Sequence, residues 1–410
     1  VLGEEVVMDP NRDYIEIKEG KARILAPNPA RFKRQDGVYE PSWAPVFYNP
    51  RMRFNRDVSV AVLSAYYETY CPKPSVKLVD LLSATGVRAI RYALESRGVE
   101  KVYANDKNPR AVKLIEENIK RNNVEDKVQA LGYEANYAAL HIKHVLNEPI
   151  LYVDIDPYGS PLPFMDNSLR LIGHRGMIGF TATDMAPLVG ARVKAGLRRY
   201  YSLSGKTPFS KELGLRILVG ATARMAGVHE KGVKPLLVFY KDYYARAFLL
   251  IERGAGKADR SIGLLGYIMY SPSTGYTCYT SGPVPGECGV DPYTGERLEA
   301  YGPLWTGPLG DERFMDRVIS ELDGLESPLK AVEYSFIERI REEYSITSKP
   351  PYRLDHCARV LRGRMPRPSR VAEALEDIGY RAVVSYLDPQ SLRTNAPVRD
   401  IFYVCRELVR

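Results

Sequence analysis

The 410-residue chain has only five cysteines, at 71, 278, 288, 357 and 405, and none forms a Cys-x-x-Cys pair, which argues against a structural zinc site. No run approaches the ~18 apolar residues a membrane span needs, and the opening Val1-Leu2-Gly3-Glu4-Glu5 is too acidic for a secretion signal. An intracellular, cytoplasmic protein with no membrane association is therefore expected. In that setting free buried thiols are the expected state of the cysteines. Cys278 and Cys288 flank a turn-rich segment and could pair if the source is a hyperthermophile, where intracellular disulfides occur. Repeats and low-complexity tracts are also missing. What is present is 45% apolar and 26% charged residues, the balance of an ordinary globular protein, at a length that suggests two domains. A net charge of +8 favours an anionic partner, although the same surplus spread evenly would serve only solubility.

Residues 14–26 alternate at period two around Glu19-Gly20, which reads as a hairpin. Val46-Phe47-Tyr48-Asn49-Pro50-Arg51 leads to a helix expected to open at Asn55, a good N-cap. From residue 76 strands and helices alternate. Strands are expected at Val76–Leu82, Lys101–Asn105, Val128–Leu131, Pro149–Val153 and Met177–Ala182, with helices at Arg88–Arg97, Pro109–Asn122 and Pro163–Ile172. Such alternation predicts a parallel, doubly wound sheet. A further helix, Lys211–Ala226, precedes strands Pro235–Tyr240 and Ala245–Ile251, whose short connection makes them an antiparallel pair. Five parallel strands closed by such a hairpin describe a class I methyltransferase fold, Rossmann-like but unlike an ordinary dinucleotide fold. Beyond about residue 255 the chain is rich in Gly, Pro and Tyr, and helical periodicity returns only near Lys330. Helices at 329–344, 353–361 and 371–378 followed by a strand at 382–387 suggest a winged-helix-like part in a smaller α+β C-terminal domain. The expected domains are 1–43 (hairpin and linker), 44–254 (catalytic) and 255–410 (C-terminal).

Gly-x-Gly-x-x-Gly, the pyrophosphate signature of dinucleotide folds, is absent. The strand Leu78-Val79-Asp80-Leu81-Leu82 instead ends in an acid and runs into Ser83-Ala84-Thr85-Gly86, small residues that let a ligand approach the backbone at a helix start. A cofactor without phosphates suits this better. Asp106 lies 20 residues after Gly86, where an acid commonly accepts from ribose hydroxyls, although it could simply cap the helix at Pro109. In one βαβ unit the two features together favour S-adenosyl-L-methionine, with S-adenosyl-L-homocysteine as product, and place Asp80, Gly86 and Asp106 at it. Glu134-Ala135, ending the third strand, sits where contacts to an adenine edge would come, or forms a plain surface turn.

Asp154-Ile155-Asp156-Pro157-Tyr158-Gly159-Ser160-Pro161 puts two carboxylates, a proline and an aromatic ring on a turn at a strand's carboxyl end. An exocyclic ring amine is a poor nucleophile because its lone pair is delocalised into the base. A carboxylate and a backbone carbonyl on a rigid turn can accept its two N–H bonds, orient it and stabilise the developing cation, while a ring stacks the extracted base. Asp156, the Pro157 carbonyl and Tyr158 meet these needs in order, with Asp154 as support. Three rivals share the pattern. An Asp-x-Asp magnesium site leaves Pro157 and Tyr158 idle, a phosphatase Asp-x-Asp-x-Thr nucleophile has threonine where Tyr158 stands and belongs at the first strand, and Asp-Pro is common in plain turns.

The chain resembles the tRNA guanine-26 N2-dimethyltransferase family in its archaeal form. The resemblance is carried by Glu19-Gly20-Lys21-Ala22, Val46-Phe47-Tyr48-Asn49-Pro50-Arg51-Met52 with Asn55-Arg56-Asp57, Ser83-Ala84-Thr85-Gly86-Val87-Arg88, Asp154 to Pro161, Thr181-Ala182-Thr183-Asp184 and Tyr301-Gly302-Pro303-Leu304-Trp305. It implies S-adenosylmethionine as donor, guanine 26 of tRNA as acceptor, and two successive transfers. It places Arg56, Arg88, Asp106, Glu134 and Ala135 around the cofactor, makes Asp156 the catalytic acid/base, and sets Phe47 and Tyr158 against the guanine. Arg56 would fork onto the cofactor carboxylate, although by position alone it reads as a solvated surface residue. The family often has Phe at Tyr158 and Asp at Glu134, and some members carry a cysteine-rich zinc insert that this chain lacks, so no metal is expected.

Between 353 and 370 stand six arginines (353, 359, 362, 364, 367, 370) against one acid, Asp355, a segment suited to tRNA phosphates. Of these, Arg359, Arg362, Arg364 and Arg367 are the expected contacts. Arg192, Lys194, Arg198 and Arg199 form a second basic group, followed by Tyr200 and Tyr201. Two alternatives stay open: an amino-methyltransferase for rRNA or DNA adenine, and a tRNA-binding module with a vestigial cofactor pocket. No obligate protein partner is inferred.

Overall fold

The computed structural model describes residues 13–282, 284 and 288–409. Residues 1–12 of the expected N-terminal segment lie outside that range. The chain divides into two compact units that do not follow chain order: 1–156 with 171–179 and 318–333, and 157–170 with 180–317 and 334–410.

In the first unit the expected hairpin forms, β1 (Tyr14–Glu19) pairing antiparallel with β2 (Ala22–Pro27). The helix Arg53–Thr69 begins two residues before Asn55. The capping asparagine is Asn49, whose side chain accepts from Arg51 N–H to start a 3₁₀ turn; Asn55 is fully buried inside the helix. β3 (Val76–Asp80), β4 (Val99–Asn105), β5 (Val128–Leu131) and β6 (Tyr152–Ile155) run parallel, β3 pairing with β4 and β6, and β4 with β5. Consecutive residues Leu78–Val79, Val102–Tyr103–Ala104 and Tyr152–Val153 are buried, so the middle of the sheet is apolar on both faces, as a sheet covered by helices requires. β6 starts later than its sequence suggests: Pro149 cannot donate to a ladder, and the strand extends to Ile155. Asp154 is thereby inside the strand and Asp156 is the first residue beyond it. The helix Ala135–His144 has no counterpart among the expected elements.

β7 (Gly176–Ala182) is followed in the second unit by short helices Met185–Leu188 and Val193–Tyr200, the long helix Ser210–Gly227, and the antiparallel pair β8 (Lys231–Lys241) and β9 (Tyr244–Arg253). The main sheet has the order β5-β4-β3-β6-β7-β9-β8, so the chain reverses direction of travel between β3 and β6, and the closing hairpin inserts its last strand ahead of its first. This is the expected class I methyltransferase arrangement. Beyond it come the helix Ala255–Gly263, a three-stranded antiparallel sheet of β10 (Leu265–Tyr270), β11 (Thr277–Ser281) and β12 (Glu299–Trp305), and the helix Glu312–Asp323. None of these was expected. A disulfide joins Cys278, on β11, to Cys288, correcting the expectation of free thiols for that pair: the two Cα atoms lie 6.8 Å apart, within bridging reach. Cys71, Cys357 and Cys405 are free.

The last segment follows helix Lys330–Ile346 with β13 (Tyr352–Arg353), helices Asp355–Leu361 and Pro368–Asp377, β14 (Ala382–Val384) and β15 (Ser391–Thr394), in the sheet order β13-β15-β14. This is winged-helix connectivity, with an added helix Val398–Val409. Leu354, Val371, Leu375, Leu392, Ile401 and Cys405 form its core.

Candidate active site

In open α/β sheets ligands bind at the carboxyl ends of strands where the order reverses, here between β3 and β6. Asp80 and Asp154 are register partners there. After β3 the chain turns tightly. Gly86 N–H bonds to Ser83 carbonyl at 2.7 Å, and Gly86, at φ +76°, starts the helix Val87–Glu95. A side chain at that φ is disfavoured, and its Cβ would meet Ile115 at 3.2 Å. Asp106 accepts from Ala84 N–H at 3.0 Å and Asn108 N–H at 2.9 Å; the helix at Pro109 is capped by Asn108, so Asp106 braces the β3 loop instead. Buried Asn105, which the sequence reading missed, donates to the carbonyls of Leu81 and Tyr133 and accepts from Tyr133 N–H, tying together the loops after β3 and β5.

Asp80 is 1% exposed and neither carboxylate oxygen has a partner at hydrogen-bond geometry. Burial, reinforced by neighbouring Asp154, pushes its carboxyl up to about 7. A buried acid in this state favours a cationic ligand.

Arg88, also buried, stands among three acids. Its Nη1 donates to Asn55 Oδ1 at 3.0 Å and Ser59 Oγ at 2.9 Å, and lies 3.8 Å from Asp154 Oδ2; its Nη2 donates to Asp156 Oδ2. Asp154 accepts from the hydroxyls of Tyr92 at 2.5 Å and Tyr152 at 2.6 Å. Asp154 is thus a satisfied support, as expected, while the Asp156 side chain keeps 21% exposure. Asn55 and Ser59 lie on one face of their helix; only the i, i+4 spacing of two polar residues in an apolar helix could have signalled them.

Arg56 is neither solvated nor free to fork onto a ligand. Its Nε and Nη2 donate to the two oxygens of Glu19 at 2.6 Å each, and Nη1 and Nη2 both reach the Asn49 carbonyl at 3.3 Å, leaving one Nη1 hydrogen for any cofactor. Glu19, at the hairpin tip, also accepts from Arg91 at 3.0 Å and the Tyr48 hydroxyl at 3.0 Å. Burial alone would raise this carboxyl, but Arg56 outweighs it, with Arg91 adding, and holds it down at about 2. Because that lies below the unfolded carboxylate's value, Glu19 stabilises the fold by about 3 kcal/mol above about pH 5, a contribution lost as pH falls toward about 2. The stability deficit of Glu19→Gln relative to wild type should therefore close between about pH 5 and 2 in acid-unfolding curves. A deficit that is constant over that range would show that the ion pairs contribute little.

Glu134 is exposed and caps its own helix, accepting from Asn136 and Tyr137 N–H at 2.9 and 3.1 Å; Ala135 is buried behind it. Phe47 is 36% exposed. In the second unit Tyr158 is 75% exposed, and the turn after it bends at Gly159, φ +102°. Arg192, Lys194, Arg198 and Arg199 are exposed and line a groove of about 740 Å³ with Thr183, Asp184 and Met185. Arg362, Arg364 and Arg367 are exposed between two winged-helix helices, whereas Arg359 already donates to the Pro272 carbonyl at 3.1 Å. No helix among the described residues is long and apolar enough to cross a membrane.

A family model described as N2,N2-dimethylguanosine tRNA methyltransferase matches residues 20–406. The chain is 38% identical to the tRNA (guanine(26)-N(2))-dimethyltransferase of Metallosphaera sedula, over 92% of this chain and 93% of that protein. It is 37% identical to the enzyme of the same description from Aeropyrum pernix, again over 92% and 93%. Among solved structures, Trm1 from Pyrococcus horikoshii in complex with S-adenosyl-L-methionine is similar with a TM-score of 0.82 and 33% identity, over 95% of this chain and 99% of that one.

Proposed function

The chain belongs to the N2,N2-dimethylguanosine tRNA methyltransferase family, and from this premise we propose how its own residues divide the work. It is an S-adenosylmethionine-dependent tRNA methyltransferase that forms N2,N2-dimethylguanosine at G26. The cofactor supplies an electrophilic methyl group on a sulfonium. The residues at the β3–β6 switch fit it: Asp80 is a buried acid neither of whose oxygens accepts a hydrogen bond, matched to a cation, and the single glycine turn suits a ligand with no phosphates. Asp106 takes the ribose hydroxyls, Glu134 and Ala135 border the adenine, and Arg56, with its one remaining hydrogen, and Arg88 complete the cradle.

Asp156 does the reacting work. Its carboxylate and the Pro157 carbonyl accept the N–H bonds of the guanine amine, orient its lone pair and stabilise the positive charge that grows on nitrogen; the carboxylate then accepts the proton. Tyr158 and Phe47 stack the extracted base. Arg88 holds Asp156 in place and keeps it from folding back into the core. The observation that carries this reading is the division of labour between two neighbouring acids, Asp154 inside the strand accepting from two tyrosines and Asp156 partly exposed just past the strand's end. Residues 44–254 serve as the catalytic domain and 255–410 as the tRNA-binding domain. Arg362, Arg364 and Arg367 of the winged helix, with Arg359 beside them, and the group Arg192, Lys194, Arg198 and Arg199 follow the phosphates.

Nucleoside mass spectrometry of a tRNA transcript incubated with protein and labelled cofactor tests the reading. Label is expected in N2-methylguanosine and then N2,N2-dimethylguanosine, and should vanish in a transcript with G26 replaced. Label in methyladenine, or in no nucleoside, would overturn it.

A further inference from the structure

The turn that carries Pro157 and Tyr158 is held by side chains with no role so far. Gly159 N–H donates to Thr183 Oγ1 at 2.8 Å, and its carbonyl accepts from Thr183 N–H at 3.0 Å. One residue on, Ser160 Oγ lies 2.9 Å from the Tyr200 hydroxyl, which is 2.7 Å from Asp184 Oδ1. Arg199 donates to the other Asp184 oxygen at 3.0 Å. A phenol has one proton and a carboxylate only accepts, so Tyr200 donates to Asp184 and accepts from Ser160. Asp184 makes no capping bond to the short helix it precedes, so its carboxylate serves this chain of bonds. Tyr200 is fully buried; burial first, and Asp184 next, hold its phenol far above the usual range, so it stays a neutral donor.

We propose that Tyr200 is a positioning residue which, anchored on Asp184, clamps Ser160 and so sets the aim of the Pro157 carbonyl and the Tyr158 ring. The proposal rests on the reading of that turn as the grip on guanine. Physically the clamp is needed because a turn with a glycine at φ +102° and a largely exposed ring is defined by its hydrogen bonds more than by packing. The same helix that ends in Tyr200 presents Arg198 and Arg199 to the basic groove, so the residue paired with Asp184 on its outer side is one that meets phosphate.

Tyr200→Phe removes one oxygen and keeps the buried ring. At saturating S-adenosylmethionine and tRNA, its single-turnover rate should fall about 10- to 100-fold, the size expected for a misaimed reactant, while both dissociation constants stay within about twofold. Ser160→Ala, a change on a surface turn that leaves the fold intact, should give a loss of similar size, and the double variant should be no slower than the slower single one. An unchanged rate in either variant, losses that multiply in the double variant, or weakened tRNA binding at an unchanged rate would each overturn the proposal. These outcomes are separate from the failure of the functional reading, which would appear in the wild type as label outside guanine 26.

Discussion

Replacing Asp156 with alanine is expected to slow methyl transfer by about 10³- to 10⁴-fold, the combined size of losing a proton acceptor and a charge that stabilises the transition state. The affinity for S-adenosylmethionine should change by less than about threefold. The asymmetry follows from where the side chain sits. Asp156 is the first residue past β6, with a carboxylate 21% exposed, and it is held by Arg88. Removing it does not free Arg88, which keeps Asn55, Ser59 and the nearby Asp154, so the cradle on the other side of the switch point stays formed. Asp156→Asn should lose less, about 10²-fold, because an amide oxygen still accepts one N–H but carries no charge. Rapid-quench transfer assays and calorimetric titration of the cofactor measure the two quantities separately. A collapse of cofactor affinity in Asp156→Ala would assign this residue to binding and remove it from the chemistry.

Arg393→Ala should destabilise the winged-helix segment by about 3–5 kcal/mol, the cost of breaking one partner out of a buried ion network. Arg393 is 1% exposed. Its guanidinium reaches both Glu212, on the long helix Ser210–Gly227, and Glu343, on the helix Lys330–Ile346, the latter at 2.9 Å from Nη2 and 3.1 Å from Nε. Glu212 retains Arg216 at 2.8 Å. Among the described residues Glu343 pairs with no second cation; it accepts from Ser385 Oγ at 2.9 Å and Tyr386 N–H at 2.7 Å. Burial already raises the Glu343 carboxyl against the pull of Arg393, so without the arginine it must take up a proton or sit charged in the core. The loss should therefore be larger at pH 8 than at pH 5. Hydrogen exchange at the amides of β14 and β15 reads the opening free energy of this segment directly. A loss below about 1 kcal/mol at pH 8 would mean that water or rearrangement replaces the arginine.

How much of this was legible in advance depends on the range of the interaction. The Gly86 to Asp106 spacing, the alternation of strand and helix, and the short connection before β9 are local patterns, and all three survive in the structure. The helix Glu312–Asp323 was missed although its signals are local: Asp311 accepts from Phe314 N–H at 3.0 Å as a start signal, and Phe314, Met315, Val318 and Leu322 are its buried stripe. The surrounding glycines and prolines hid it. The helix Ala255–Gly263 has glycines at 256 and 263 and forms against its propensity through tertiary packing.

By itself the sequence determined the alternation of strand and helix as far as β9 and the turn that follows β6, because side-chain pattern and backbone conformation are settled among near neighbours. Only the tertiary structure decided which acids are saturated and which stay available. Glu19 closes on Arg56 across 37 residues and Tyr92 on Asp154 across 62, and neither oxygen of Asp80 accepts a hydrogen bond. The free energy of a buried charge depends on what surrounds it in space, and chain position carries almost none of that information.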